Sequence, residues 1–440
     1  GFGQAVKDIS MKGIFMEKSL KKDIIINRLP VVIYFILIFA SLMVIISAVA
    51  PMSNHEPKTT DTYSDFSTGW LNCEESEASL DHLSGTTVIH RTITAADCNK
   101  TLFFFAKTSN IKVFIDGVCQ YRNNHFCSQF FGKTPGALFV NVLIPAKSDG
   151  KLLEIEIENP YKDDDSAKLD EMYIGDISDI IQFQQQKRFN SFCISFIIMV
   201  LGVVMLLLFI PLTRQKIVGI EFLNLGVTAF VSGLYLTTDG RYLQLVFGDA
   251  HIYHVIAETA MRLATPLFLI FLSQMYDSYS KRISTILCVI GEIAFAGCFI
   301  GEITEIMDYH ETLFLVHVVF AISMLFILVS TIKGIVKAPK ENIYHNIGCI
   351  VLSFMAMTDI IILWRGTGRE TSYFIRLGIL IFFFMEIVQI IKKFLASYQR
   401  NIKNELLSRL AYHDEFVFSS TKPDIETGFM NASKKMMDNL

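Results

Sequence analysis

Eight apolar windows constrain this chain more than any other feature. A helix crosses the roughly 30 Å hydrocarbon core of a bilayer with about 20 apolar residues. The first window is Pro30–Ala50, and a long polar stretch follows it. Seven more then come in close succession: Asn190–Leu212, Ile217–Thr237, Tyr253–Met275, Ile283–Ile303, Thr312–Ile335, Tyr344–Trp364 and Ser372–Ile391. This spacing predicts a polytopic α-helical membrane protein with eight transmembrane helices in a 1+7 arrangement. Composition agrees, with 52% hydrophobic residues, 37 of them Phe, against 19% charged. A net charge of −4 provides no electrostatic footprint for nucleic acid, so no nucleic-acid partner is expected.

Short loops orient such a chain through their Lys and Arg content. Lys7, Lys12, Lys18, Lys21, Lys22 and Arg28 place the N-terminal tail in the cytoplasm. Threading the spans from there puts Arg214, Lys216, Lys281, Arg282, Lys333, Lys337, Lys340, Lys392, Lys393, Arg400, Lys403 and Arg409 inside. Only Arg241, Arg365 and Arg369 fall in the outside loops. The expected plan is a cytoplasmic tail (1–29), a first span (30–51), an extracytoplasmic domain (52–187), a seven-helix block (188–391) and a cytoplasmic linker helix (392–412). Both termini are then cytoplasmic, and the location is the inner or plasma membrane. The first apolar run exceeds the 7–15 residues of a signal-peptide core, so an anchor is the reading over a cleaved leader.

Within 52–187 the pattern changes to short alternating runs. Thr86–Ile93, Thr101–Lys107, Ile111–Gly117, Ala137–Ile144 and Lys151–Asn159 read as strands. In the last, Leu153, Ile155 and Ile157 point one way while Glu154, Glu156 and Glu158 point to water. Asp116-Gly117 marks a hairpin turn. Strands so spaced, with no helix between them, predict an all-β sandwich of the jelly-roll kind. Trp70, Tyr121, Phe130 and Phe131 are candidates for stacking on a sugar-like ligand, or else they fill the sandwich core or face the helical block. Cys73, Cys98, Cys119 and Cys127 permit disulfides, Cys119 with Cys127 closing the shortest loop. Their spacing lacks the paired CxxC of a zinc site, and no metal or cofactor is expected.

Ionisable residues inside a membrane need partners or a wet cavity. Glu258, Arg262, His317, Asp359 and Arg376 fall in the outer half of the spans. They predict either a polar pocket serving ligand binding and signal relay, or a structural ion-pair network. Glu258 and Arg262 are four apart and share a helix face; Asp359 is placed to meet Arg376. Glu292 and Glu386 lie nearer mid-membrane and raise proton-coupled transport as an alternative function, though the halves show no repeat. Beyond the last span, Ile391, Leu395, Tyr398, Ile402, Leu406 and Leu410 form one narrow helical stripe. It suits a homodimer contact between parallel helices, or a helix lying on the membrane surface.

The phrases "VFIDGVCQYRN" (113–123), "FGKTPGALFVNVLIP" (131–145), "LLEIEIENPY" (152–161) and "MYIGDISDII" (172–181), in this order of parts, resemble the bacterial seven-transmembrane receptors with diverse intracellular signalling modules. That resemblance implies an extracellular jelly-roll sensor for a small molecule, with the seven helices relaying its state to a variable cytoplasmic module. The closing stretch 413–440 is similar to the start of a GGDEF-type diguanylate cyclase domain, with Asp424, Thr427, Gly428 and Asn431 in register. The likeness implies c-di-GMP output in a longer relative. No Gly-Gly-[Asp/Glu]-Glu-Phe turn occurs in these 440 residues, so this stretch by itself is expected to have no cyclase activity. A regulatory subunit pairing with an intact cyclase is the further alternative.

Overall fold

The computed structural model describes residues 62–123, 133, 136–161, 167–214, 218–275, 278–337, 342–364 and 372–420. The first apolar window and the GGDEF-like positions Asp424, Thr427, Gly428 and Asn431 lie outside them. Eight strands come first: β1 Tyr63–Asp65, β2 Thr86–Thr92, β3 Thr101–Lys107, β4 Asn110–Ile115, β5 Val118–Arg122, β6 Ala137–Leu143, β7 Leu152–Glu158 and β8 Lys168–Gly175. They form two four-stranded sheets, ordered β1-β8-β3-β6 and β2-β7-β4-β5, with every pair antiparallel.

The alternation in β7 places its side chains as expected. Leu153, Ile155 and Ile157 are fully buried and join Ile89, Val113, Leu102, Phe104, Val140 and Met172 in one core shared by the sheets. Asp116 and Gly117 take φ of 52° and 72° between paired Ile115 and Val118, the left-handed pair that a two-residue hairpin turn demands. β3 behaves differently. Its run TLFFFA is buried on both faces, so this strand has cover on the side away from the sandwich core as well.

The helices follow: α1 Ile177–Arg214, α2 Ile220–Asp239, α3 Tyr242–Phe247, α4 Ala250–Ser273, α5 Ser278–Ile303, α6 Leu313–Lys337, α7 Ile343–Trp364 and α8 Tyr373–Ser420. All but the short α3 are long and apolar enough to cross a membrane, which gives seven such helices among the described residues. The chain is therefore built as a multi-pass membrane protein with a β module ahead of its helices. One boundary differs from the sequence reading, and another agrees with it. α1 begins at Ile177, well before the Asn190 expected, because Ile180, Gln184 and Arg188 already form a buried i, i+4 stripe. The last span and the linker are one uninterrupted helix of 48 residues, since no Gly or Pro falls between Ile379 and Ser420.

The chain divides into two compact units. One holds the residues up to Met199 with Ser232–Met261 and Ala296–Leu313; the other holds Val200–Val231, Arg262–Phe295 and the residues from Phe314 onward. Small residues set helix spacing in both. A Cβ on Gly202 would sit 2.3 Å from the Phe230 backbone nitrogen, and one on Gly233 would sit 2.3 Å from that of Met199. α1 and α2 thus cross with their backbones nearly touching, as small residues permit inside a membrane.

Candidate functional site

In the first unit, the sheet face turned away from the sandwich core carries an aromatic patch. Phe139 packs 5.4 Å from both Phe103 and Phe105, while Tyr173 meets Tyr63 and the α1 residue Phe183 edge-on at 5.9 and 5.8 Å. Arg188 of α1 lies over the Phe139 ring at 4.9 Å, and Arg241, just before α3, lies over Phe105 at 4.1 Å. Oriented to satisfy both groups, the Gln244 amide donates to Ala137 O at 3.3 Å and accepts from Phe139 N at 2.9 Å. It thereby occupies backbone groups on the β6 edge. The second cover of β3 is thus made of helix ends.

A β-bulge aims the strongest polar contact of this face. Phe103 pairs with Tyr173 and Phe105 with Asp170, so Glu171 and Met172 together oppose Phe104. Regular alternation would send Glu171 inward alongside Leu169. Instead Met172 takes the core position and Glu171, at φ 52°, is turned toward α1. There its carboxylate accepts from Arg188 Nη2 at 2.7 Å and Lys187 Nζ at 2.8 Å. Burial pushes the Glu171 pKa up, but the two cations outweigh it and hold the carboxyl at about 2. Burial, then the Glu171 charge, pushes the neighbouring Tyr173 up to about 12.

A second polar knot ties the β module to the turn between α5 and α6. Asp308 is 5% exposed. Its Oδ2 accepts from the Tyr161 hydroxyl and, at 3.2 Å, from the backbone N–H of Lys133. Asp308 and Glu311 exchange backbone-to-carboxylate bonds of 2.9 and 3.0 Å, which fixes the start of α6. Glu311 in turn accepts from Lys133 Nζ at 2.5 Å, the Tyr161 ring lies tilted against His310 with centres 4.4 Å apart, and Tyr309 bonds Thr259 of α4 at 3.1 Å. None of these residues was singled out in the sequence. The signal available was a turn dense in acids and aromatics, "TEIMDYHET", between two apolar spans.

The five ionisable residues expected to build a polar pocket are spread over four helices. Arg262 is buried and lines a cavity of about 20 Å3 with Thr265, Pro266, Gly291, Ala294, Phe295, Val316 and Val319. That is room for one water, not for a sugar-sized ligand. Glu258, His317, Asp359 and Arg376 do not line it. Asp359 instead accepts from the backbone N–H groups of Phe374 and Ile375 at 3.3 and 2.6 Å, capping the first turn of α8. Arg376 is 2% exposed, and its Nε and Nη1 make no hydrogen bond.

The aromatic candidates in the β module also part company. Trp70 is 1% exposed, lies in the sandwich core and donates its indole N–H to Phe66 O at 2.8 Å. It has no free face for a sugar, which corrects the stacking expectation for this residue. Tyr121 packs half-buried against the same core, and burial pushes its hydroxyl pKa up. Phe130, Phe131 and Cys127 lie outside the described residues. Cys73, Cys98 and Cys119 are free thiols.

In the second unit, a polar line that the sequence reading did not assemble joins α7 to α8. His345 Nδ1 lies 2.5 Å from Glu386 Oε1, and the Cys349 thiol lies 3.7 Å from His345 Nε2. No group of three or more His, Cys, Asp or Glu placed to hold a metal occurs among the described residues. No known protein family, curated protein or solved structure matches this chain.

Proposed function

We propose that this protein is a membrane receptor whose β module lies outside the membrane, senses a small, carbohydrate-like molecule, and passes its state to the cytoplasmic part of α8. The observation that carries this reading is the Asp308 knot. A buried carboxylate on a helix-connecting turn takes donors from two separate points of the β module, Tyr161 and Lys133. A sandwich that was merely tethered would not spend buried hydrogen bonds there, because a displaced partner leaves a desolvated charge behind. The strand orders 1-8-3-6 and 2-7-4-5 are those of two nested Greek keys, which supports a jelly roll. The positive-inside distribution of Lys and Arg supports the orientation, with both termini cytoplasmic and the first apolar window as an eighth span.

On this reading α8 is the output rod. Its stripe through Ile391, Leu395, Tyr398 and Ile402 pairs with the same helix of a second copy, and the pairing sets a GGDEF-type module in longer relatives. Membrane lipid surrounds the seven helices.

A crosslinking experiment tests the relay without knowledge of the ligand. Ile402→Cys in membrane vesicles is expected to form a disulfide between copies, and adding Asp308→Ala should change the yield several-fold. Crosslinking at Ile402 that is indifferent to Asp308→Ala would remove the relay. A chain that never crosslinks along 391–402 would remove the paired output helix.

A further inference from the structure

We propose that Glu386, His345 and Cys349 form a proton-binding site inside the helical block, with α7 supplying His345 and Cys349 and α8 supplying Glu386. This inference does not depend on whether the β module receives a ligand.

Glu386 is fully buried and His345 is 3% exposed. One Glu386 oxygen bonds His345 Nδ1; the other, Oε2, has no donor. A carboxylate held this way is costly unless one proton is shared with its partner, giving either acid and neutral imidazole or carboxylate and imidazolium. Among the described residues, no Lys or Arg pairs with Glu386. α4 packs aromatic Phe271 6.2 Å from the imidazole, and Phe271 lies in turn against Phe382 of α8. On α8, Lys392 sits over the Tyr344 ring at 4.5 Å, and Lys393 reaches Met275 Sδ at 3.9 Å. On α7, Cys349 is the titratable group that faces His345.

The imidazole lies between an acid and a thiol, so the proton positions of the three groups are linked. When Nδ1 carries the proton toward Glu386, Nε2 is a lone-pair acceptor for the Cys349 S–H. When both nitrogens are protonated, Nε2–H points at the sulfur and the thiol proton must turn away. One proton taken from or returned to the aqueous phase therefore changes a bond between α7 and α8 and another within α7. Below this level Gln389 donates to Asn342 Oδ1 at 2.8 Å, which continues the polar seam toward the lysines. Close packing makes the seam sensitive: a Cβ on Gly348, between His345 and Cys349 on the helix surface, would lie 3.2 Å from Phe382.

Infrared spectroscopy of the full chain in lipid nanodiscs, titrated with pH in H2O and D2O, tests the site. The C=O stretch of a protonated buried carboxyl should rise and fall with pH, vanish in Glu386→Gln, and shift its midpoint by about one pH unit or more in His345→Gln. If Glu386→Gln fails to fold, the near-isosteric Cys349→Ser decides. The parent should then show an S–H stretch whose position tracks the same pH midpoint and is lost in the serine variant. A carboxyl band unchanged by Glu386→Gln overturns the proposal. So does a Cys349 S–H stretch that ignores pH.

Discussion

Glu171→Gln should destabilise the β module by roughly 3 kcal/mol at neutral pH and should flatten its response to acid. The side chain of Arg188 is 3% exposed, and Glu171 is its ion-pair partner. Removing the carboxylate leaves a desolvated guanidinium, with Gln184 Oε1 as a neutral acceptor. The pH window follows from the direction of the shift. The carboxyl is held at about 2 in the folded chain against an ordinary value of 4.5, so its contribution is complete above pH 4.5. It fades as pH falls from 4.5 toward 2, when the folded form must also take up the proton. Thermal unfolding of the purified full chain, followed by near-ultraviolet circular dichroism from pH 7 to pH 2.5, reads both effects. The parent should lose stability below pH 4.5, and Glu171→Gln should start lower and lose less. Replacing Glu171 and Arg188 together by Met should recover much of the loss, because two apolar side chains bury no charge. If the single Gln variant unfolds with the parent at every pH, the bulge and its ion pair contribute no stability.

How far this could be read in advance depends on which physical signal each feature leaves in the sequence. The seven long apolar helices follow from the length of the apolar windows and five of the eight strands from periodicity, both of them local properties. β7 shows it best, since Leu153, Ile155 and Ile157 alternate with three glutamates. β1, β5 and β8 escaped because their apolar alternation is short or broken; in β8 the bulge at Glu171–Met172 shifts the inward face by one residue. Burial of Phe103 and Phe105 was implicit in a run apolar on both faces, but what covers them is not a local matter. The site residues were hardest. Charges in apolar spans stand out, so Asp359 and Arg376 were noticed, yet their partners are set by helix rotation. Asp359 accepts from backbone amides at the start of α8, a role that its position in the sequence does not announce. His345 and Cys349 are four apart on α7, a spacing that puts them on one face, and only the packing of α7 against α8 brings Glu386 to complete the line.

Trp70→Ala should cost the β module about 3–5 kcal/mol, the range for truncating a large buried aromatic. The ring is 1% exposed and meets Phe66 edge-to-face at 5.9 Å, while its N–H satisfies Phe66 O. Behind Phe66 stands Arg91, 3.8 Å from the ring centre, with its Nη1 donating to Thr68 O at 2.5 Å. The alanine variant therefore opens a cavity, orphans a buried carbonyl and loosens the segment that carries β1. Trp70→Phe separates these effects: it keeps most of the volume and forfeits the hydrogen bond, for about 1 kcal/mol. Proteolysis of the full chain at rising temperature measures both, as loss of the protected β-module fragment. A sugar-stacking tryptophan would behave in the opposite way, with an alanine variant as resistant as the parent and impaired in ligand binding alone. That outcome would mean the ring leaves the core in the working protein. The expected ranking, with alanine far below phenylalanine and phenylalanine slightly below the parent, would fix Trp70 as the keystone of the sandwich and leave sugar recognition to other side chains.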